Sequence, residues 1–365
     1  MKLKIKGHDL ISAIRSAASG LATRDIKPIL KSFLFQAVDG QLLVESTDLE
    51  MGVIATAPCE VPEPGKVCIP GTCGQLLDGL DDKEISVETI ENRAIISGSG
   101  FKFELATQVD GGFPSYKQED TLATLPVNPE WMAQSIKFSK LDDYRDDRDF
   151  GAINGLCLDI RDKKINAVST NRIILTATTI DTEFDGEIQV VLPRKFLPLI
   201  SATAGKGQGL VFCTARSTAS FASPGLLVWT RLIEGRYPPW RKVAHIPVKP
   251  LASVLAGELS TAIKRACYFL SQDSIRVKLA FGDNLVVSNT NGSGEGFSNV
   301  SCTISGNGSF DVNGLSVRSL LSTHKPDEKL QIGFAKSSTE FMVIDFEMGR
   351  HSIVCLDKQP AKTGD

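Results

Sequence analysis

Five carboxylates, Asp142, Asp143, Asp146, Asp147 and Asp149, crowd the stretch LDDYRDDRDF. Clustered acids are what a divalent cation or a metal-assisted hydrolysis needs. Their spacing does not suit a calcium loop, which places a Gly at its sixth position and an acid at its twelfth, so a solvated loop is the plainer reading. GSGEG (292–296) and GKGQG (205–209) are the phosphate-loop candidates. A phosphate cradle needs a strand before it and a helix N-terminus after it. The first lies between two strand-like runs and the second follows a helix, so both are expected to be plain turns. His8, His245, His324 and His351 are scattered without ligand spacing, and no GxSxG occurs. The eight cysteines form no CxxC pair and read as small apolar core residues in a reducing cytoplasm. We expect no catalytic residue, no metal and no cofactor. A metal-dependent enzyme using the Asp-rich stretch stands as a remote alternative.

The elements that would position any site come in a repeat. DGGFPSY (110–116) and EGRYPPW (234–240) share an acid, Gly, aromatic, Pro, aromatic pattern, with Pro114 and Pro238 spaced 124 residues apart. IPGTCGQLLDGL, LPRKFLPLISAT and VNGLSVRSLLST each end a strand-like run and open a short helix; Pro70, Pro193 and Asn313 are spaced 123 and 120. QLLVESTD, KINAVSTN and NLVVSNTN each finish a strand in a polar turn, and Thr47, Thr170 and Thr290 are again spaced 123 and 120. Two landmarks with the same two spacings mean one fold used three times. Each third is expected to begin with a strand feeding a helix that carries an early acid (Asp9, Glu130, Glu258) and later basic residues (Arg15, Lys137, Lys264, Arg265). Short strands fill the rest. The predicted boundaries are 1–120, 121–245 and 246–357, with a polar tail over 358–365.

Composition sets the class. Hydrophobic residues make up 42% and charged residues 23% of the 365, as in soluble globular chains, and no apolar run is long enough to span a bilayer. The formal net charge of −3 excludes a uniformly basic nucleic-acid binder but not a local basic surface.

The local words KPILKSFLFQAVDGQLLVESTDLEM (27–51), AING (152–155), VLPRKFLPLI (191–200) and LIEGRYPPWRKV (232–243) together resemble the bacterial sliding clamps, the beta subunits of DNA polymerase III. The third repeat is similar mainly through CYFLS and DVNGLSVRSLL. The resemblance implies an α+β fold of three clamp-type domains, each with two helices packed on two antiparallel sheets. It also implies a head-to-tail homodimer closed into a ring around double-stranded DNA. The implied partners are DNA polymerase III, the clamp loader and other proteins carrying a clamp-binding motif, in the cytoplasm. An alternative is a specialised or mobile-element paralogue with an altered partner pocket.

Residue by residue, the resemblance carries DNA contacts to Arg24, Arg194, Lys195 and Asn313, and the helix pattern adds Arg15, Lys137, Lys264 and Arg265. Arg148, in the Asp-rich stretch, is displaced from the position of a usual loop Arg. Thr72 and Cys73 stand where the family often has Arg. The implied peptide pocket comprises Ile153, Thr170, Leu175, Pro238, Lys242, Val243, Ile353 and Cys355. Arg172, Ile173 and Ile174 replace the family's usual Gly, His and Arg, which implies a changed peptide preference. The implied dimer contact pairs Phe103 and Leu105 with Phe269 and Leu270.

Overall fold

The computed structural model describes all residues except 25–26, 109–111, 142–150, 206–208, 245, 270–274, 292–293, 337–339, 347–349 and 357–365. The Asp-rich stretch, Arg148, Leu270 and the polar tail therefore lie outside the described residues.

One succession of elements recurs three times. The first third runs β1 (Lys2–Lys6), α1 (Gly7–Ala18), β2 (Ser32–Val38), β3 (Gln41–Thr47), β4 (Met51–Pro58), β5 (Glu60–Glu63), β6 (Gly65–Pro70), α2 (Cys73–Leu76), β7 (Glu84–Ile90), β8 (Arg93–Gly98) and β9 (Phe101–Ala106). The second runs β10 (Ala123–Val127), α3 (Pro129–Phe138), β11 (Gly155–Arg161), β12 (Lys164–Thr170), β13 (Ile174–Asp181), β14 (Ile188–Pro193), α4 (Leu197–Ala204), β15 (Leu210–Thr214), β16 (Thr218–Ser223) and β17 (Leu226–Arg231), with a short α5 (Arg241–Ala244) after it. The third runs β18 (Val248–Leu255), α6 (Ala256–Ala266), β19 (Arg276–Phe281), β20 (Leu285–Asn291), β21 (Gly294–Val300), β22 (Cys302–Ile304), β23 (Gly308–Asn313), α7 (Gly314–Leu321), β24 (Lys329–Lys336), β25 (Glu340–Phe346) and β26 (Arg350–Cys355).

The helices follow the expected periodicity. In α1, Leu10, Ile14 and Ala17 are buried while Arg15 faces out. In α6, Leu259, Ala262, Ile263 and Ala266 point inward while Lys264 and Arg265 are exposed. One face of each helix is thus removed from water and the opposite face keeps its charge. Asp9, Glu130 and Glu258 lie in the first turns, where an acid complements the helix dipole.

Hairpins set the strand registers. Asp39 and Gly40, at φ 50° and 75°, close β2 onto β3. Asp162 and Lys163, at 55° and 54°, close β11 onto β12 without a glycine. Such two-residue turns need both central residues left-handed, which Gly adopts at less cost than Lys.

Contacts divide the chain into two units. The first, 1–133 with 195–232, holds a five-stranded sheet ordered β5-β1-β7-β8-β9 and an eight-stranded sheet ordered β10-β15-β16-β17-β4-β3-β2-β6. The second, 134–194 with 233–365, holds a nine-stranded sheet ordered β14-β11-β12-β13-β26-β25-β24-β18-β22 and a four-stranded sheet ordered β21-β20-β19-β23. Among the described residues every strand pairing is antiparallel. Sheets therefore do not respect the thirds. β17 of the second third pairs with β4 of the first, and β26 of the third pairs with β13 of the second.

GSGEG departs from the expected plain turn. Gly294 to Gly296 belong to β21, paired with Asn291 to Asn289 of β20. Glycine gave a turn signal, but the ladder is completed by the backbone, which needs no side chain.

Candidate partner-binding face and strand edges

The apolar face of the second unit is built on one line of register. Thr170, Leu175, Ile353 and Val343 stand opposite one another across β12, β13, β26 and β25. Directly opposed residues share a face of the sheet, so this line is a single surface. Val243 and Ala244 of α5, with Ile246 and Cys355, pack against the cluster of Ala335, Phe341, Val343 and Ile353. Ala152, Tyr237 and Trp240 form the adjoining cluster with Cys157, Val168, Ala177 and Val191. Leu175 touches both clusters.

The turn over Thr170 to Ile174 shapes the rim. Thr170 Oγ1 donates to the Ile174 carbonyl at 2.7 Å and accepts from Arg172 N at 3.1 Å. Asn171 Oδ1 accepts from the backbone N–H groups of Ile173 and Ile174. Arg172 is left at φ 74° with its side chain exposed. Cys355 N donates to the Ile173 carbonyl at 2.8 Å, which ties this turn to β26.

The Tyr-Pro-Pro-Trp corner is pinned by an acid. Asp159 on β11 is 3% exposed, and its Oδ2 accepts from Trp240 Nε1 at 2.8 Å and from Arg241 Nε at 3.1 Å. The Arg241 guanidinium also lies 4.9 Å from the centre of the Trp240 ring. Tyr237 donates its hydroxyl to the Val168 carbonyl at 3.2 Å, and burial pushes its phenol up, so it remains a donor. These contacts fix the start of α5 and so place Val243. Asp159 gave no signal in the sequence, because an acid in a strand reads as solvent-facing.

Of the expected pocket residues, Leu175, Val243, Ile353 and Cys355 come together in one cluster. Thr170 adjoins Leu175 by register. Ile153 lies half-buried in the turn beside Ala152, Pro238 is half-buried between Tyr237 and Trp240, and Lys242 is exposed on α5.

The basic residues divide by environment. Lys137, Lys264 and Arg265 are exposed on helices, and Arg24 is exposed in the segment after α1. Arg15 pairs with Asp78 at 3.1 Å. Lys195 forms ion pairs with Glu50 and, at 3.6 Å, with Asp48. Arg194 is half-buried, with Nη1 donating to the Leu141 carbonyl at 3.5 Å. Asn313 is 2% exposed and its Oδ1 accepts from Ser316 N at 3.0 Å, which caps α7.

Phe103 and Leu105 lie half-buried on β9, the end strand of the five-stranded sheet. Phe269 belongs to the turn over Cys267–Phe269 that follows α6 and adjoins β21. β21 ends the four-stranded sheet, and on it Phe297 is 74% exposed. Sequence reading missed Phe297, although an aromatic between Gly296 and Ser298 on an alternating strand was a usable signal.

The eight cysteines are free thiols, and burial pushes Cys73 up to about 12, so that thiol stays protonated and unreactive. Among the described residues no group of His, Cys, Asp or Glu could hold a metal ion, and no helix is long and apolar enough to cross a membrane.

Comparison with known proteins agrees with this architecture. Residues 1–117 match the model of the DNA polymerase III beta subunit, N-terminal domain. The beta sliding clamp of Proteus mirabilis is 27% identical over 79% of this chain and 81% of its own. Over most of its length the chain is similar to the beta sliding clamps. The beta sliding clamp of Chlamydia pneumoniae is 23% identical over 96% of this chain and 97% of its own. The fold is that of a Pseudomonas aeruginosa sliding clamp solved with griselimycin, with a TM-score of 0.89 at 17% identity over 98% of this chain and all of that one. The clamp from Thermotoga maritima gives 0.84 at 20% identity.

Proposed function

We propose that this protein is a DNA sliding clamp: two copies close head to tail into a ring around duplex DNA and tether a polymerase and other peptide-bearing partners to it. It acts as a scaffold, without catalysis. In this reading residues 1–120, 121–245 and 246–357 are its three clamp domains.

The observation that carries the reading is the bookkeeping of strand edges. β9, β17 and β26 are equivalent end strands of the three repeats, as are β4, β13 and β21. Within the chain β17 takes β4 and β26 takes β13. That leaves β9 and β21, each ending its sheet. A second copy supplies the missing partner for each, and two such seams close the assembly without leaving either edge open.

A closed ring needs no tight grip on DNA. Exposed Arg24, Lys137, Lys264 and Arg265 are suited to phosphate contacts, which carry no sequence information and exchange readily. Each such contact is expected to contribute a slope of about −0.9 in log K against log salt. The Leu175, Val243 and Ile353 face offers an apolar seat for a short partner peptide, and a tethered polymerase gains effective concentration at the primer end. Arg172 on the rim favours an acidic residue in that peptide, which supports the narrower reading of a clamp retuned to a particular partner.

The test is topological. After loading onto a nicked circular duplex the protein is expected to remain bound, and to be released when the circle is cut. Equal loss from circular and linear DNA would sink the ring.

A further inference from the structure

We infer that the seam between copies has a fixed register in which Phe101, Phe103 and Leu105 of β9 seat over Ser298, Gly296 and Gly294 of β21 in a second copy of this chain. The inference rests on the ring reading and specifies how its edges recognise each other.

The register follows from two junctions already present. On each donor strand, one residue opens the strand directly after its hairpin turn: Phe101, Leu226 and Arg350, opposite Gly98, Ser223 and Phe346. On each receiving strand, one residue stands opposite the repeated threonine: Gly52 opposite Thr47, Leu175 opposite Thr170, Glu295 opposite Thr290. At the first junction Leu226 pairs with Ala55, three residues beyond Gly52. At the second, Arg350 pairs with Thr178, three beyond Leu175. Two junctions with unrelated side chains keep one register. Applied to the open edges, it puts Phe101 opposite Ser298, Phe103 opposite Gly296 and Leu105 opposite Gly294.

The side chains on that face then complement each other. At the first junction this face buries Val228 against Val53 and Leu226 against Ala55. At the second it buries Thr176 against Ser352. On the open edges the bulk has moved to one strand: β9 carries two phenylalanines, with ring centres 5.6 Å apart, and a leucine, while β21 carries two glycines and a serine. β9 against another β9 would set ring against ring. β21 against another β21 would leave its glycines facing a void. Only β9 against β21 fills the space, so the edges select head-to-tail pairing.

The opposite face explains the charges. At the first junction that face holds Trp229 against Gly52, and at the second Leu175 against Ile353, each beside a corner segment. Residues 347–365 carry no such Gly-aromatic-Pro-aromatic pattern. The corresponding seam residues are Lys102 opposite Phe297 and Glu104 opposite Glu295, with Glu104 held by Lys102 at 2.8 Å and Arg93 at 3.0 Å. This face is built for water, and Phe297 lies along the Lys102 stem.

Sedimentation of four proteins tests the register. The unaltered chain is expected to be dimeric at micromolar concentration. Gly296→Phe is expected to raise the dimer Kd by at least about 100-fold, the scale of overpacking a filled interface at two seams. Phe103→Gly is expected to weaken the dimer as well, and the exchange of both residues in one chain to recover most of the affinity. Circular dichroism checks that each variant is folded. A folded Gly296→Phe that dimerises like the unaltered chain overturns the register and leaves the ring standing. A monomeric unaltered chain overturns the ring itself. Cysteine pairs on the water-facing side give a readout independent of packing. Lys102→Cys with Phe297→Cys is expected to cross-link copies on mild oxidation, and Lys102→Cys with Glu295→Cys is not. Reversal of that preference overturns the register.

Discussion

The two Gly-aromatic-Pro-aromatic corners share a sequence pattern but differ in how they are held. In the first unit Tyr116 is half-exposed, stacks on Trp229 at 5.1 Å and donates its backbone N–H to Glu45 Oε1 at 2.6 Å. In the second, Tyr237 and Trp240 are buried, and Asp159 takes both the indole N–H and the Arg241 guanidinium. Each corner is pinned by a buried acid, but Glu45 comes from β3 and Asp159 from β11. The first acid is held mainly by neutral donors, and burial raises its pKa. The second has a cation within 3.1 Å. Beside the first corner lies a groove of about 310 Å³ lined by Pro114, Tyr116, Lys117, Glu119 and Arg231. In the second unit α5 lays Val243 and Ala244 on the sheet. A repeated motif therefore marks where the chain turns, while its neighbours decide what packs around the turn.

Four substitutions probe that contrast. Asp159→Ala is expected to have the largest effect, about 3 kcal/mol in chemical denaturation, because it strands a partly buried guanidinium and an indole N–H. It should also release α5 and weaken binding of a clamp-binding peptide by fluorescence anisotropy. Unchanged stability would show that the second corner does not depend on its acid. Next, Gly52→Ala places a methyl 2.5 Å from Trp229 Nε1 and should cost about 2 kcal/mol by calorimetry, leaving peptide binding in the second unit intact.

Glu45→Gln sharpens the pH contrast. Glu45 is raised from 4.5 in the folded protein, chiefly by desolvation. The folded state therefore holds the proton more tightly than the unfolded state. This group's contribution is fully present below the unfolded value and is lost as pH rises through the folded one. The glutamine variant should lose that component and be at least as stable as the original at neutral pH. A pH titration of thermal melts that superimposes for both proteins would contradict this. The smallest effect is expected for Lys163→Gly, a gain of about 1 kcal/mol from relieving the left-handed lysine at φ 54°, read as a raised melting temperature.

Much of the fold was legible because it is local. The threonine and helix-opening landmarks fell at strand ends in every repeat, and the early acids and later basic residues took their places on α1, α3 and α6. What escaped was non-local. No periodicity announces that β17 pairs with β4 or β26 with β13, since those partners are well over a hundred residues apart in sequence. Asp159 escaped because its partners, Trp240 and Arg241, lie 81 and 82 residues further along the chain. Asn313 was legible as the start of a helix, yet its side chain is spent as a cap. The glycines of GSGEG were read as punctuation, when two of them form the small side of a strand edge.

That glycine-lined edge has a bearing on the life of the chain before assembly. In the proposed ring, a newly made monomer leaves the β9 and β21 edges without their partners, the kind of surface on which chains aggregate. Glycine is a weak strand former, so β21 makes a poor template for stray segments. β9 carries Lys102 and Glu104 on its outer face, which discourage flat stacking. Each edge is therefore unattractive to most of the proteome, and the chain can wait in dilute solution for its own kind.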